Sequence, residues 1–141
     1  MRAIKLYLFL VLTYLSIEIL WLVLFMRDFY LEALGTLTRR DAYGVALIGW
    51  TFFLVAALIP LGIQVFVLPR FGEKAEPRPI LAKAILYGVI VYGAYDLTNY
   101  SLLRFWPWRL VPIDTLLGGT VCLLTAFVGL KVQNHLARKP A

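Results

Sequence analysis

From Gly44 to Leu68 the chain carries no charged residue. About 20 consecutive apolar residues suffice for an α-helix to cross the hydrocarbon of a bilayer. Inside lipid every backbone N–H and C=O must find an internal partner, which restricts a spanning segment to a helix or a closed barrel. Three further runs have the same character, at about 3–26, 80–103 and 111–132, broken only by single polar or charged residues such as Lys5, Glu18, Lys83, Asp96 and Asp114. The expectation is an all-α polytopic membrane protein, with residues 1–141 as a single transmembrane domain of four helices in an antiparallel bundle. Composition supports this, because 141 residues that are 62% hydrophobic and 16% charged have too much apolar surface for a soluble fold of this size to hide.

The connections read as follows. Between Arg27 and Tyr43 the apolar residues Phe29, Tyr30, Leu31, Ala33, Leu34 and Leu37 suggest a short interfacial helix, which Gly35 and Arg39-Arg40-Asp41 keep short. Pro60 predicts a kink in the second span. The stretch from Pro69 to Pro79 is rich in proline and charge and reads as a loop. Arg104-Phe105-Trp106-Pro107-Trp108-Arg109 makes a tight turn of headgroup-level composition. The first apolar run is too long for a signal-peptide core and has no small-residue cleavage site after it, so it is read as a retained helix.

The net charge of +6 would suggest nucleic acid in a soluble protein. Here the bases sit in short segments beside apolar runs, where they orient helices, and no nucleic-acid partner is expected. Arg2, Lys5, Arg70, Lys74, Arg78, Lys83, Lys131, Arg138 and Lys139 fall on one side, and Arg27, Arg39, Arg40, Arg104 and Arg109 on the other. This bias predicts both termini in the cytoplasm.

Ionisable groups within a span are costly and need a reason. Glu18 lies nine residues before Arg27, and Asp96 eight before Arg104; at about 1.5 Å per residue both sit roughly 12–14 Å below the same boundary. Asp114 is near the start of its helix. All three carboxylates therefore belong to the outer half of the bilayer, on three helices, and helices joined by a tight turn pack side by side, which brings Asp96 towards Asp114. Tyr14, Glu18 and Trp21 share one helix face, as do Tyr92, Asp96 and Asn99, with Tyr95 adjacent. Together with Arg104 these residues form the expected ligand-binding set of an outward-opening acidic and aromatic cup, and Asp96, Asp114 and Glu18 are the candidate catalytic groups. The bland alternative is that the polar side chains only join helices. Ala84 and Gly88 read as close-packing positions.

Several chemistries are excluded. His135 is the single histidine and lies near the C-terminus, so a multi-histidine metal site is ruled out and no metal is expected. No phosphate-binding glycine loop or dinucleotide fingerprint occurs, Ser16 and Ser101 have no activating base, and no cofactor is expected. Cys122, the single cysteine, reads as a packing residue.

The segment Tyr95-Asp96-Leu97-Thr98-Asn99 resembles the core of a bacterial membrane-protein family known as domain of unknown function 2177. Glu18 and Trp21, the Phe29-Tyr30 pair with Gly35 beyond it, the Trp106-Pro107 turn, and Asp114 with Gly118 also match, so the resemblance covers nearly the whole chain. Glu18 departs from the family, where Asp is usual. The resemblance implies a four-helix bacterial inner-membrane protein and no particular reaction; the family's association with lipid-modifying and flavin-dependent enzymes implies a partner membrane enzyme and a role near membrane lipid. Three functions compete. One is an accessory protein that binds a lipid or amphiphile. The second is an intramembrane acid/base enzyme, an aspartate-dependent hydrolase laid out like lipoprotein signal peptidase or a lipid isomerase. The third is a small proton-coupled transporter with Glu18 as its coupling group.

Overall fold

A computed structural model describes residues 1–42, 44–46, 48–71, 73 and 76–138 of the chain. Its framework is four long helices, α1 (Arg2–Phe25), α3 (Gly49–Val67), α4 (Pro77–Leu102) and α5 (Leu110–Arg138), each long and apolar enough to cross a membrane. A short helix α2 (Arg27–Leu34) follows the first span, where the sequence predicts one. Large apolar side chains stand exposed along every long helix, among them Leu8, Phe9, Leu24, Phe53, Phe66, Leu86, Leu97, Leu116 and Phe127. A continuous apolar exterior of this kind is at home only in lipid.

Three span boundaries differ from the expected ones. The second helix starts at Gly49 rather than Gly44, because Gly44 and Val45 pair with Asp41 and Arg40 in a two-residue antiparallel ladder. The Ala46 N–H extends it by donating to the Arg39 carbonyl at 2.9 Å. Backbone groups committed to that hairpin are unavailable to a helix. The third helix starts at Pro77 instead of 80, since a proline at the first helical position gives up only an N–H that would be unpaired there. The fourth runs on to Arg138 instead of stopping at 132; His135 and Arg138 lie in its last turn, where cations favour the helix dipole. Lys74 and Lys139, counted above for orientation, lie outside the described residues.

Proline and glycine shape the bundle locally. Pro60 sits within α3 without ending it, and the last stretch, Ile63–Val67, widens into π-helix. Two carbonyls near Pro60 accept side-chain donors: Tyr7 donates to Ala57 at 2.9 Å and Tyr87 to Ile59 at 3.4 Å. The end of α1 is also π-helical, over Leu20–Phe25. Gly35 ends α2 with φ +48°, a conformation that glycine adopts without strain.

The helices pack unequally along their length. At the end of the bundle that holds both termini, Leu6, Leu10, Ile63, Val67, Ile80, Ala84, Val121, Cys122 and Ala126 form a continuous core. There Gln133 seals the interface by donating to the Pro69 carbonyl at 2.8 Å, and Gln64 donates to Ala3 at 3.2 Å. α4 and α5 lie in close contact over most of their length: a Cβ on Gly88 would fall 2.0 Å from the Gly118 carbonyl oxygen, so the two backbones touch. By contrast, α3 meets α4 mainly through its final turns, around Gly62 and Ile63–Val67. It also packs against α1, where Tyr7 reaches the Ala57 carbonyl. The bundle is therefore closed at the terminal end and parted, between α3 and α4, at the end that carries the turns.

Candidate functional site

A cavity of about 340 Å³ occupies the parted end. Glu18 from α1, Asp96 from α4 and Asp114 from α5 line it, with Tyr14, Tyr30, Tyr92 and Tyr95. The rest of the wall is apolar: Leu22 from α1, Phe52, Val55, Ala56 and Ile59 from α3, Val91 from α4 and Leu117 from α5. No lysine or arginine among the described residues lines it. Val55 on α3 is 50% exposed and Tyr95 on α4 61% exposed, so both border the outer surface as well as the cavity. The opening thus lies between α3 and α4, towards the face that lipid covers.

Each carboxylate is held by an aromatic donor from another element or from the turn. Tyr92 donates to Glu18 Oε1, and the Tyr92 and Tyr14 hydroxyls are 2.6 Å apart. Tyr30 donates to Asp114 Oδ1 and in turn accepts the Trp21 indole N–H at 3.3 Å. Trp106 folds back from the α4–α5 turn and donates to Asp96 Oδ1 at 3.3 Å; its ring packs edge-on against Tyr95, with centroids 5.9 Å apart. Burial pushes the Tyr30 phenol above its ordinary pKa, and its hydrogen bond to Asp114 adds to the effect. It stays a donor at any physiological pH.

Asp96 differs from the other two acids. It is fully buried, and its Oδ2 has no hydrogen-bond partner among the described residues. An unsatisfied buried acceptor of this kind costs about 1–3 kcal/mol. Asp114 shares the cavity wall with Glu18 and Asp96. Even so, among the described residues no group of three or more His, Cys, Asp or Glu side chains is arranged to hold a metal ion. The two aspartates are held by separate aromatic donors rather than by each other.

Of the residues singled out in the sequence, Tyr14, Glu18, Tyr92, Tyr95, Asp96 and Asp114 lie on the cavity wall. Trp21 stands behind it and orients Tyr30. Asn99 is half-buried one turn beyond Asp96, off the wall. Arg104 is exposed and lies over the Phe105 ring, 5.6 Å from its centroid, away from the cavity. Sequence reasoning missed Tyr30 and the whole α3 wall. The Phe29-Tyr30 landmark of the family resemblance was a signal for the first; the α3 residues are apolar among apolar neighbours and carry none.

No match was found for the chain among curated proteins or among solved structures. A family profile described as "Predicted membrane protein (DUF2177)" matches residues 3–131. With that match over nearly its whole length, and with four membrane-spanning helices in a single bundle, the chain belongs to the DUF2177 family of membrane proteins.

Proposed function

We propose that this protein binds a lipid or single-chain amphiphile in the cavity between α1, α3, α4 and α5 and acts as an accessory to membrane-lipid metabolism. The observation that carries the reading is the cavity's construction: a wholly apolar side on α3, polar groups carried by α1, α2, α4 and α5, and an opening towards lipid. At about 340 Å³ it lies at the lower end of the range for small-molecule sites, enough for a head group and the first part of a chain. The apolar wall accepts the chain by the hydrophobic effect, and the carboxylates and tyrosines orient the head. In this reading the protein resides in a bacterial inner membrane with both termini cytoplasmic, and the cavity faces outward. It serves a partner membrane enzyme. Binding is favoured over intramembrane hydrolysis because the two aspartates are engaged by different aromatic donors, whereas a water-activating pair would share a proton.

The test is native mass spectrometry with lipid analysis on gently purified protein, wild type beside Val55→Trp and Asp96→Asn. Wild type should retain one defined amphiphile, Val55→Trp should lose it by filling the opening, and Asp96→Asn should hold it more weakly. Bulk lipid alone on all three proteins, with equal thermal stability, would remove the reading and leave the carboxylates as helix-joining groups.

A further inference from the structure

The chemistry of the head group can be taken further, on the basis of the binding reading above. Three acidic side chains line the cavity and no basic one among the described residues does. Glu18 and Asp114 each accept a tyrosine hydroxyl. Asp96 belongs to the cavity wall; its Oδ1 accepts the Trp106 indole, but its buried Oδ2 has no partner among the described residues. What fits there is a hydrogen-bond donor. An anionic group with no cation of its own would meet repulsion from all three acids, which cannot be relieved by a nearby base. A metal ion is a poor candidate, because no group of acidic side chains among the described residues converges as coordination requires. An ammonium carries N–H donors and a positive charge together, and its bonds to carboxylates are of the stronger, charge-assisted kind. The surrounding phenol rings of Tyr30, Tyr92 and Tyr95 suit it as well, since aromatic faces attract cations in water-poor sites.

The apolar side gives the direction of the chain. Phe52, Val55 and Ile59 on α3 and Val91 and Tyr95 on α4 line the cavity, and Val55 and Tyr95 also reach the outer surface, which puts a slot between the two helices. A hydrocarbon tail attached to a group at Asp96 leaves by this slot into the bilayer without crossing a polar surface.

The geometry points to a protonated long-chain amine as the ligand, its ammonium bound to Asp96 Oδ2 and its chain emerging between α3 and α4. The ammonium is that of a free amine or of an aminolipid head group, and the test separates the two.

The experiment is a titration of the full-length protein in micelles, read by native mass spectrometry, with four amphiphiles of equal chain length: dodecylamine, dodecanol, dodecanoate and the lysophosphatidylethanolamine bearing a twelve-carbon chain. Dodecylamine is expected to saturate at one per chain and to bind at least about 10-fold more tightly than dodecanol or dodecanoate, a difference of about 1.4 kcal/mol. Asp96→Asn should remove that preference and leave dodecanol unchanged, while Val55→Trp should weaken every bound amphiphile alike. Tight binding of the lysophospholipid with the same Asp96 dependence would identify an aminolipid head group as the source; its exclusion would identify a free amine. Dodecanol or dodecanoate binding as well as the amine would overturn the ammonium assignment while leaving an amphiphile site in place. Saturation by none of the four would remove both readings. An amine preference that survives in folded Asp96→Asn would also overturn the assignment, and if that variant does not fold, the wild-type series decides alone.

Discussion

At the scale of single residues, the acids were legible and their partners were not. A carboxylate in an apolar run stands out because burying it is expensive, so Glu18, Asp96 and Asp114 could be found and assigned to one half of the bilayer by counting along the helices. Their hydrogen-bond donors come from elsewhere in the chain: Tyr92 reaches Glu18 from α4, and Tyr30 reaches Asp114 from a short helix 84 positions earlier. Spacing cannot reveal contacts of that range. Arg104, expected among the ligand-binding residues, lies over the neighbouring Phe105 ring. Tyr30 is the residue on which this part of the site depends, because it joins Trp21 to Asp114. Tyr30→Phe should cost about 1–3 kcal/mol, the penalty for leaving buried polar groups unpaired, and should appear as a lower thermal midpoint in detergent. An unchanged midpoint would mean that Asp114 is satisfied by water.

At the scale of elements, hydropathy found all four spans and misplaced some of their ends. The missed boundaries share a cause: hydropathy records what lipid tolerates, whereas helix ends are decided by capping, proline and local hairpins. Apolar residues before Gly49 look like part of a span, but the ladder between Arg40–Asp41 and Gly44–Val45 claims their backbone. Polar residues after Val132 look like a tail, but nothing there breaks the helix, and α5 continues to Arg138. Its 29 residues extend about 43 Å at 1.5 Å per residue, well beyond the roughly 30 Å of hydrocarbon. The final turns must therefore project into water. A cysteine in place of Arg138 should react quickly with a membrane-impermeant maleimide, while buried Cys122 should not. Labelling of that variant only after cells are opened would establish the cytoplasmic C-terminus; labelling of intact cells would reverse the orientation.

At the scale of the whole molecule, the sequence shows a four-helix bundle but not its asymmetry. The parting of α3 from α4 depends on how glycine and apolar surfaces meet across helices, as where Gly62 admits Tyr87 and Gly88 meets Gly118, and a uniformly apolar α3 gives no sign of which side it leaves uncovered. Stability should be correspondingly uneven. Backbone amides of α5 around Val121–Ala126, in the closed core, should exchange hydrogen slowly, and those in the first half of α3 faster, because local opening follows sparse packing. Uniform protection along α3 in hydrogen-exchange mass spectrometry would contradict a parted bundle.

The bond from Trp106 to Asp96 also bears on how the chain enters the membrane. An aspartate at the centre of a lone helix disfavours insertion by about 2.5–3.5 kcal/mol. Trp106 follows Asp96 by ten residues, so the bond requires only α4 and the turn after it and no part of α5. α4 can then be released into lipid already carrying a partner for its acid, and the glycine contacts with α5 close the hairpin afterwards. Trp106→Phe should accordingly reduce the fraction of newly made chains in which α4 is inserted, measured by glycosylation mapping during translation, whereas a Trp108→Phe change in the same turn should not.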